Sequence, residues 1–360
     1  MTAKHIYIIA EAGVNHNGSL IMAKQLIDAA VAAGADAVKF QTFKAASLVS
    51  QEAPKADYQL QTTDSEETQF AMLKKLELDE TAHDELKKYC KQNRIDFLST
   101  PFDTESLQLL VNKYNLPYIK IPSGEITNAP FLLEIARTGK PVILSTGMST
   151  LGEVEDALQV LAFGYLNTPI KPGRQAFEEA YAAPEGQALL KAKVMLLHCT
   201  TEYPAPFEEV NLQAMDTLRE AFGLPVGYSD HTPGYTVAIA AAARGAQLIE
   251  KHFTLDRNLP GPDHKASLEP QELAEMLQAI RIVEKALGQP LKTPTVSEVK
   301  NKAVARKSLV ARQTIRQGEE FTEDNMTVKR PGTGLSPLYF WDLMGKRAAK
   351  AYVPDEQVTL

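Results

Sequence analysis

Two short apolar runs, 226–231 (VGYSDH) and 248–254 (LIEKHFT), each carry an imidazole, His231 and His252, where a strand would give way to a loop. An Ala-rich helical stretch, 235–244, lies between them, so the three segments read as a strand–helix–strand unit with a histidine at the C-terminal end of each strand. In a parallel barrel adjacent strand ends lie one inter-strand spacing apart, and two imidazoles can reach a common point. Either histidine alone reads more readily as a hydrogen-bonded core or rim residue. As a pair they suggest one divalent cation with open positions, because imidazole and carboxylate are the usual protein ligands of a Lewis-acid metal.

The elements that must position these residues repeat along the chain. Strand-like runs fall at 6–12, 37–42, 96–101, 118–123, 141–146, 194–200, 225–229 and 248–254, with helical patterns between them, several stopped by a glycine (Gly34, Gly139, Gly223, Gly245). Pro270 opens the helix after the last strand. Eight β/α units in this span fit a (β/α)8 TIM barrel, whose chemistry sits on the C-terminal strand ends. An open doubly wound sheet would fit the alternation nearly as well, but regular units ending in polar residues favour closure. Those ends supply Glu11, Lys39, Gln41, Ser99, Thr100, Lys120, Ser123, Glu125, Ser145, Thr146, His198, Thr200, Tyr203, Ser229 and Lys251 beside the histidine pair. A whole ring of polar ends is hard to explain as rim decoration, since inward strand positions in a barrel are normally branched and apolar.

The residue types narrow the reaction. Lysines, hydroxyls and glycine amides are what a phosphate and a carboxylate need. A two-histidine metal suits polarisation of a carbonyl oxygen, with Glu11 and Glu125 available to carry protons. The set suggests carbon–carbon bond formation between a phosphorylated carboxylic acid and an aldehyde. A Schiff-base aldolase using Lys39, Lys120 or Lys251 is the nearest rival, although an iminium lysine beside a metal would be redundant. A sugar- or anion-binding protein on the same barrel is a second alternative, against which the metal pair and glutamates speak.

Composition bounds the rest. With 360 residues, 44% of them apolar, and a net charge of −7, the chain has ample core and no overall attraction to a nucleic-acid backbone. Two cysteines make no disulfide framework and no apolar run is long enough for a membrane span, so a reduced, cytoplasmic protein is expected. Two connections exceed ordinary turns: 44–78, on the catalytic face, reads as a lid or substrate loop, and 164–193, on the opposite face, as a structural insertion. After 1–287, the Pro-punctuated 288–302 reads as a linker. The remainder, 303–360, carries strand-like pieces at 308–311, 326–329 and 349–353 and is marginal on its own. Its nine Lys/Arg against five Asp/Glu between positions 303 and 351 mark either an anion-facing surface or a solvated basic face.

The strings AEAGVNHNGS, VKFQTF, STPFD, KIPSGE, STGMST, LHCTTEYPAP, GYSDHT, EKHFT and GPDHKASLEP, with VKRPGTG near the end, resemble the sialic acid synthase family along almost the whole chain. That resemblance implies a TIM barrel followed by a small SAF (antifreeze-like, β-clip) domain, in a domain-swapped homodimer. It implies a transferase that condenses phosphoenolpyruvate with N-acetylmannosamine to N-acetylneuraminate, releasing phosphate. The alternative is an N,N'-diacetyllegionaminate synthase using 2,4-diacetamido-2,4,6-trideoxymannose, the choice resting with the loop at 55–61. His231 and His252 match the metal ligands, with Mn2+ foremost and Mg2+ or Co2+ as alternatives. Lys120, Ser123, Ser145 and Ser229 match positions around the phosphate of phosphoenolpyruvate, and Lys39 and Thr100 positions near its carboxylate. Gln41, Tyr203 and Asp263 match contacts to the amino sugar, and Arg330 an arginine reaching the partner's active site. Glu11 and Glu125 match the family's active-site glutamates; Glu125 is expected to stabilise the cationic C2.

Overall fold

A computed structural model describes residues 5–64 and 66–359; the side chain of Gln61 is also outside the described residues, so that end of the 55–61 stretch is not placed. Eight parallel strands alternate with helices: β1 (Tyr7–Gly13), β2 (Ala37–Thr42), β3 (Asp96–Pro101), β4 (Ile119–Ile121), β5 (Val142–Ser145), β6 (Val194–His198), β7 (Val226–Asp230) and β8 (Leu248–His252). Their hydrogen-bonded order is β3-β2-β1-β8-β7-β6-β5-β4. The two ends of that order, β3 and β4, lie side by side, and the sheet curls into a nearly closed TIM-type barrel. Four of the eight, β4, β5, β6 and β8, are shorter than the sequence runs, because the residues after them already belong to loops.

Period-2 alternation divides the barrel into an outer and an inner layer. Outward residues such as Ile8, Ala10, Val38, Phe40 and Ile249 pack under helices including Leu20–Ala33 and Pro270–Leu287. Local sequence sets the ends of those helices. Ser19 accepts a hydrogen bond from Met22 N, Asp79 from Ala82 N, and Thr150 forms a capping box with Glu153. Gly34 closes the first helix at φ +82°, a left-handed position that most residues avoid. Inside the barrel, Ile9, Ala37, Leu98, Ile143, Leu197 and Leu248 form an apolar plug.

The long connection after β2 folds into three short helices, Ala45–Leu48, Asp57–Thr62 and Gln69–Leu76. Lys55 ties this segment together internally, its buried ammonium donating to Thr63 Oγ1 at 2.9 Å and Asp64 O at 2.6 Å. The 164–193 stretch comprises the end of the helix Leu151–Leu166 and two further helices, Arg174–Ala182 and Pro184–Lys193. The last runs straight into β6. They pack closely, Phe177 edge-on to Phe163 at 5.1 Å and Gly186 against the backbone of Ala180.

The chain divides into two compact units, 1–288 and 289–360. In the second, β9 (Ser308–Ala311) pairs antiparallel with β10 (Met326–Lys329) over a small core that includes Leu309, Ile315, Phe321, Met326 and Tyr352. The 349–353 piece makes only an isolated bridge, Tyr352 to Ile315, among the described residues. The 288–302 stretch is not linker throughout. From Val296 it is a helix, Val296–Ala305, started by a capping box between Thr295 and Glu298 that the nearby prolines mask in the sequence. No helix among the described residues is long and apolar enough to cross a membrane.

Candidate active site

Two residues above each plug position, alternation returns a side chain to the barrel interior at the C-terminal end. Ile9 is followed by Glu11, Ala37 by Lys39, Leu98 by Thr100, Ile143 by Ser145, Leu197 by Cys199 and Leu248 by Glu250. All six upper residues line one cavity of about 300 Å³, together with Gln41, Lys120, Ser123, Tyr203, Ser229, His231, His252 and Asp263. At the end of β1 the register with β2 shifts between Glu11 and Gly13. Gly13 sits there at φ +51°, and a side chain on it would come within 3.5 Å of Glu11, His252 and Gln41.

Four charges fill the floor. Lys39 Nζ lies 2.7 Å from Glu11 and 3.5 Å from Glu250, and Lys120 Nζ lies 3.3 Å from Glu250, all of them buried. Burial alone would raise the Glu250 carboxyl, but Lys120 and Lys39, with the Ser229 hydroxyl donating at 2.7 Å, hold it well below the usual carboxylate range. Burial pushes the Glu11 carboxyl up to about 7, against the pull of Lys39 and with the push of Glu250. Burial works against the Lys39 ammonium too, yet the two carboxylates keep its pKa above the ordinary value. Neighbouring carboxylates with pKa values driven apart are the pattern of one proton carrier beside one fixed charge.

Beside the lysines is a cradle of small donors. Gly147 N donates to Ser123 Oγ at 3.0 Å, Cys199 Sγ lies 3.2 Å from the same oxygen, and Thr201 Oγ1 is buried without a hydrogen-bond partner among the described residues. A Cβ on Gly147 would come within 2.2 Å of Thr201 Oγ1 and 2.8 Å of Ser123 Oγ, so the cradle exists because that position is glycine. An orphaned hydroxyl beside ammoniums is arranged for an anion.

The two histidines are side by side, ring centres 5.5 Å apart. His231 Nδ1 donates to Thr200 O at 2.6 Å, which fixes the tautomer and leaves the Nε2 lone pair toward Tyr203 and Ser229. His252 Nδ1 is buried without a hydrogen-bond partner among the described residues. Burial lowers His231 to about 4, and burial with the neighbouring His231 keeps His252 well below the ordinary value, so both rings are neutral, the form that ligates metal. Among the described residues no three His, Cys, Asp or Glu side chains converge as a cage. The two neutral imidazoles are the residues that could hold one divalent cation, leaving its other positions open. Asp263, 3.9 Å from His252 Nδ1, has its carboxyl pushed up to about 6 by burial.

The Tyr203 ring lies 4.2 Å from that of His231 at a tilt of 31°, and the ring of Tyr58, from the 44–78 segment, lies 5.2 Å from that of Tyr203 at a tilt of 37°. That segment supplies Leu48, Val49, Tyr58, Gln59, Gln69, Met72, Leu73 and Leu76 to the cavity, a largely apolar roof over a charged floor.

Two expected residues are not part of this cavity. Glu125, on the turn Ser123–Glu125, accepts from Asn128 Nδ2 at 2.6 Å and does not line it. Arg330 belongs to the second unit, where its Nε donates to Ala305 O at 3.0 Å. Lys251, weighed above as an iminium lysine, points out of the barrel to Asp230 at 3.1 Å. The reading passed over Glu250, although counting two back from His252 along LIEKH places it on the inward face. Tyr58 and the Thr201 hydroxyl had no comparable signal.

Comparison with known proteins adds three findings. A model of the NeuB family matches residues 26–292, and one of the SAF domain matches residues 306–360. The chain is 52% identical over 355 residues to N,N'-diacetyllegionaminic acid synthase of Campylobacter jejuni, covering 99% of each, and 43% identical over 341 residues to the Legionella pneumophila protein of the same name, covering 95% of this chain and 90% of that one. It also resembles the crystal structure of an N-acetylneuraminic acid (sialic acid) synthetase from Leptospira borgpetersenii in complex with citrate, with a TM-score of 0.65 and 31% identity over 82% of this chain and 90% of that one.

Proposed function

The chain belongs to the NeuB family, and from that premise we propose that it condenses phosphoenolpyruvate with open-chain 2,4-diacetamido-2,4,6-trideoxymannose, giving N,N'-diacetyllegionaminate and phosphate. It is a nonulosonic acid synthase of the transferase type. The observation that carries the reading is the juxtaposition in one cavity of an anion cradle, two neutral imidazoles and a proton-carrying carboxyl. The sequence alone put N-acetylmannosamine first; relatives 52% and 43% identical favour the diacetamido sugar instead. The roof favours it too. A C6 methyl and an acetyl methyl gain about 1 kcal/mol each from apolar burial, whereas C4 and C6 hydroxyls would lose water there and leave the aliphatic surface unfilled.

The residues divide the work. Lys120, Ser123, Ser145 and Ser229, with Thr201, hold the phosphate, and Lys39 and Thr100 the carboxylate. The arriving anion competes with Glu11 and Glu250 for the two ammoniums, and a proton on Glu11 relieves that competition. Gln41, Tyr203 and Asp263 hold the sugar with its aldehyde toward the histidines. A divalent metal on His231 and His252, Mn2+ in the first instance, would supply a Lewis acid for the aldehyde oxygen. As C3 of phosphoenolpyruvate attacks the aldehyde carbon, protonated Glu11 gives its proton to the aldehyde oxygen. Water adding to C2 then returns a proton to Glu11, so the count closes. In this reading ionised Glu250, which lines the cavity, stabilises positive charge at C2 in preference to Glu125. Collapse of the tetrahedral C2 expels phosphate.

The free buried thiols Cys90 and Cys199 suit a reducing compartment such as the cytoplasm. The second unit and its leading helix expose Val296, Val299, Leu338 and Trp341, apolar surface that suits burial in a domain-swapped homodimer. The test of the reaction is phosphate release from phosphoenolpyruvate with Mn2+ and each of the two sugars, repeated after chelation. Release with the diacetamido sugar, lost on chelation and restored by Mn2+, is expected. Release that needs N-acetylmannosamine would transfer the enzyme to N-acetylneuraminate synthesis, and release untouched by chelation would remove the metal.

A further inference from the structure

Among the side chains that the 44–78 segment sends into the cavity, Tyr58 stands out by its hydrogen bonding. Its hydroxyl accepts from Gln59 Nε2 at 3.4 Å, and no described residue accepts its proton. Gln59 is itself fixed, its Oε1 accepting from Ala56 N at 3.0 Å and from Gln69 Nε2 at 3.3 Å. The Tyr58 ring is held as well by its tilted contact with Tyr203, which packs in turn against His231. The result is a rigid phenol at the top of an aromatic ladder that starts at the histidine pair, with one unused donor. Around it the roof offers Leu48, Val49, Met72 and Leu73.

A donor set among apolar side chains matches a small acylamino group, with the O–H for its carbonyl oxygen and the aliphatic surface for its methyl. A hydroxyl could use the donor but would leave the apolar surface unfilled. The aldehyde end of the sugar is required at the base of the ladder, where bond formation occurs, so the far carbons of the chain rise toward the roof. Resting on the condensation proposed above, we infer that Tyr58 is the residue that selects a sugar bearing an acylamino group at C4, by donating its hydroxyl to the acyl oxygen. This makes it a specificity-determining residue with no part in bond making.

Tyr58→Phe keeps the packed ring and deletes only the donor. In steady-state phosphate release, KM for the 2,4-diacetamido sugar should rise about tenfold, the loss of one hydrogen bond. Turnover number, KM for phosphoenolpyruvate and KM for N-acetylmannosamine should each stay within about twofold. Tyr58→Ala, which also removes the ring, should raise KM for both sugars and shows what a packing role alone looks like. Equal effects of Tyr58→Phe on both sugars, or none on either, would overturn the inference. A wild-type protein that prefers N-acetylmannosamine would overturn the sugar reading and this one together. One that prefers the diacetamido sugar, with that preference intact in Tyr58→Phe, would overturn this one alone.

Discussion

The floor carboxylates share two lysines yet differ in charge, and that difference can be read in solution. With Glu11 near 7 and needed in its protonated form, kcat/KM should fall as pH rises through about 7. Glu11→Gln should lower kcat by roughly 10² or more and remove that limb of the profile; a limb that persists in the variant would assign it to another group. Glu250→Gln should also lower kcat by about 10² or more, through loss of the fixed charge at C2, whereas Glu125→Gln should stay within about tenfold because its carboxylate is engaged by Asn128 outside the cavity. Equal losses from Glu125 and Glu250 would undo this ordering. Much of the site was legible residue by residue, because charge at a strand end is costly unless used; Lys39, Lys120 and both histidines follow from that rule. Glu125 lies off the cavity because SGE reads as a strand end but turns away as a short helix, and Glu250 is hidden in the sequence behind the more conspicuous Lys-His pair.

At the level of elements, the strand-to-loop junctions make the chemistry. The turn after β5 brings the Gly147 amide against Ser123, Cys199 and Thr201 with no room for a side chain. Gly147→Ala should therefore raise KM for phosphoenolpyruvate by about 10² while the protein stays folded, as hydroxyls that must converge on the phosphate are pushed apart. An unchanged KM would place the anion elsewhere. The eight-unit rhythm was readable because helix caps and glycine stops are local. The fate of the two long connections was not, since their helices are short and broken up by Pro and Gly; they pack on the cavity and on Leu151–Leu166 respectively. The helix within 288–302 was hidden by the prolines that precede it.

For the molecule as a whole, the expectation that Arg330 serves a partner's cavity is a statement about two chains, which mixing can decide. Arg330→Ala and His231→Ala proteins, each with little activity, should recover up to about a quarter of wild-type turnover when refolded together, as random pairing makes half the dimers mixed and each mixed dimer has one of its two sites intact. No recovery would return Arg330 to its own chain or remove it from the reaction. The barrel interior carries a further consequence. Each of six strands places its plug residue and its working residue on the same face, two positions apart. A strand paired one residue out of register would withdraw both from the interior together, so it could not keep a dry plug while losing only activity. Misthreaded chains would then be visible to proteolysis as loosened barrels, and the population that passes as folded would be almost uniformly competent.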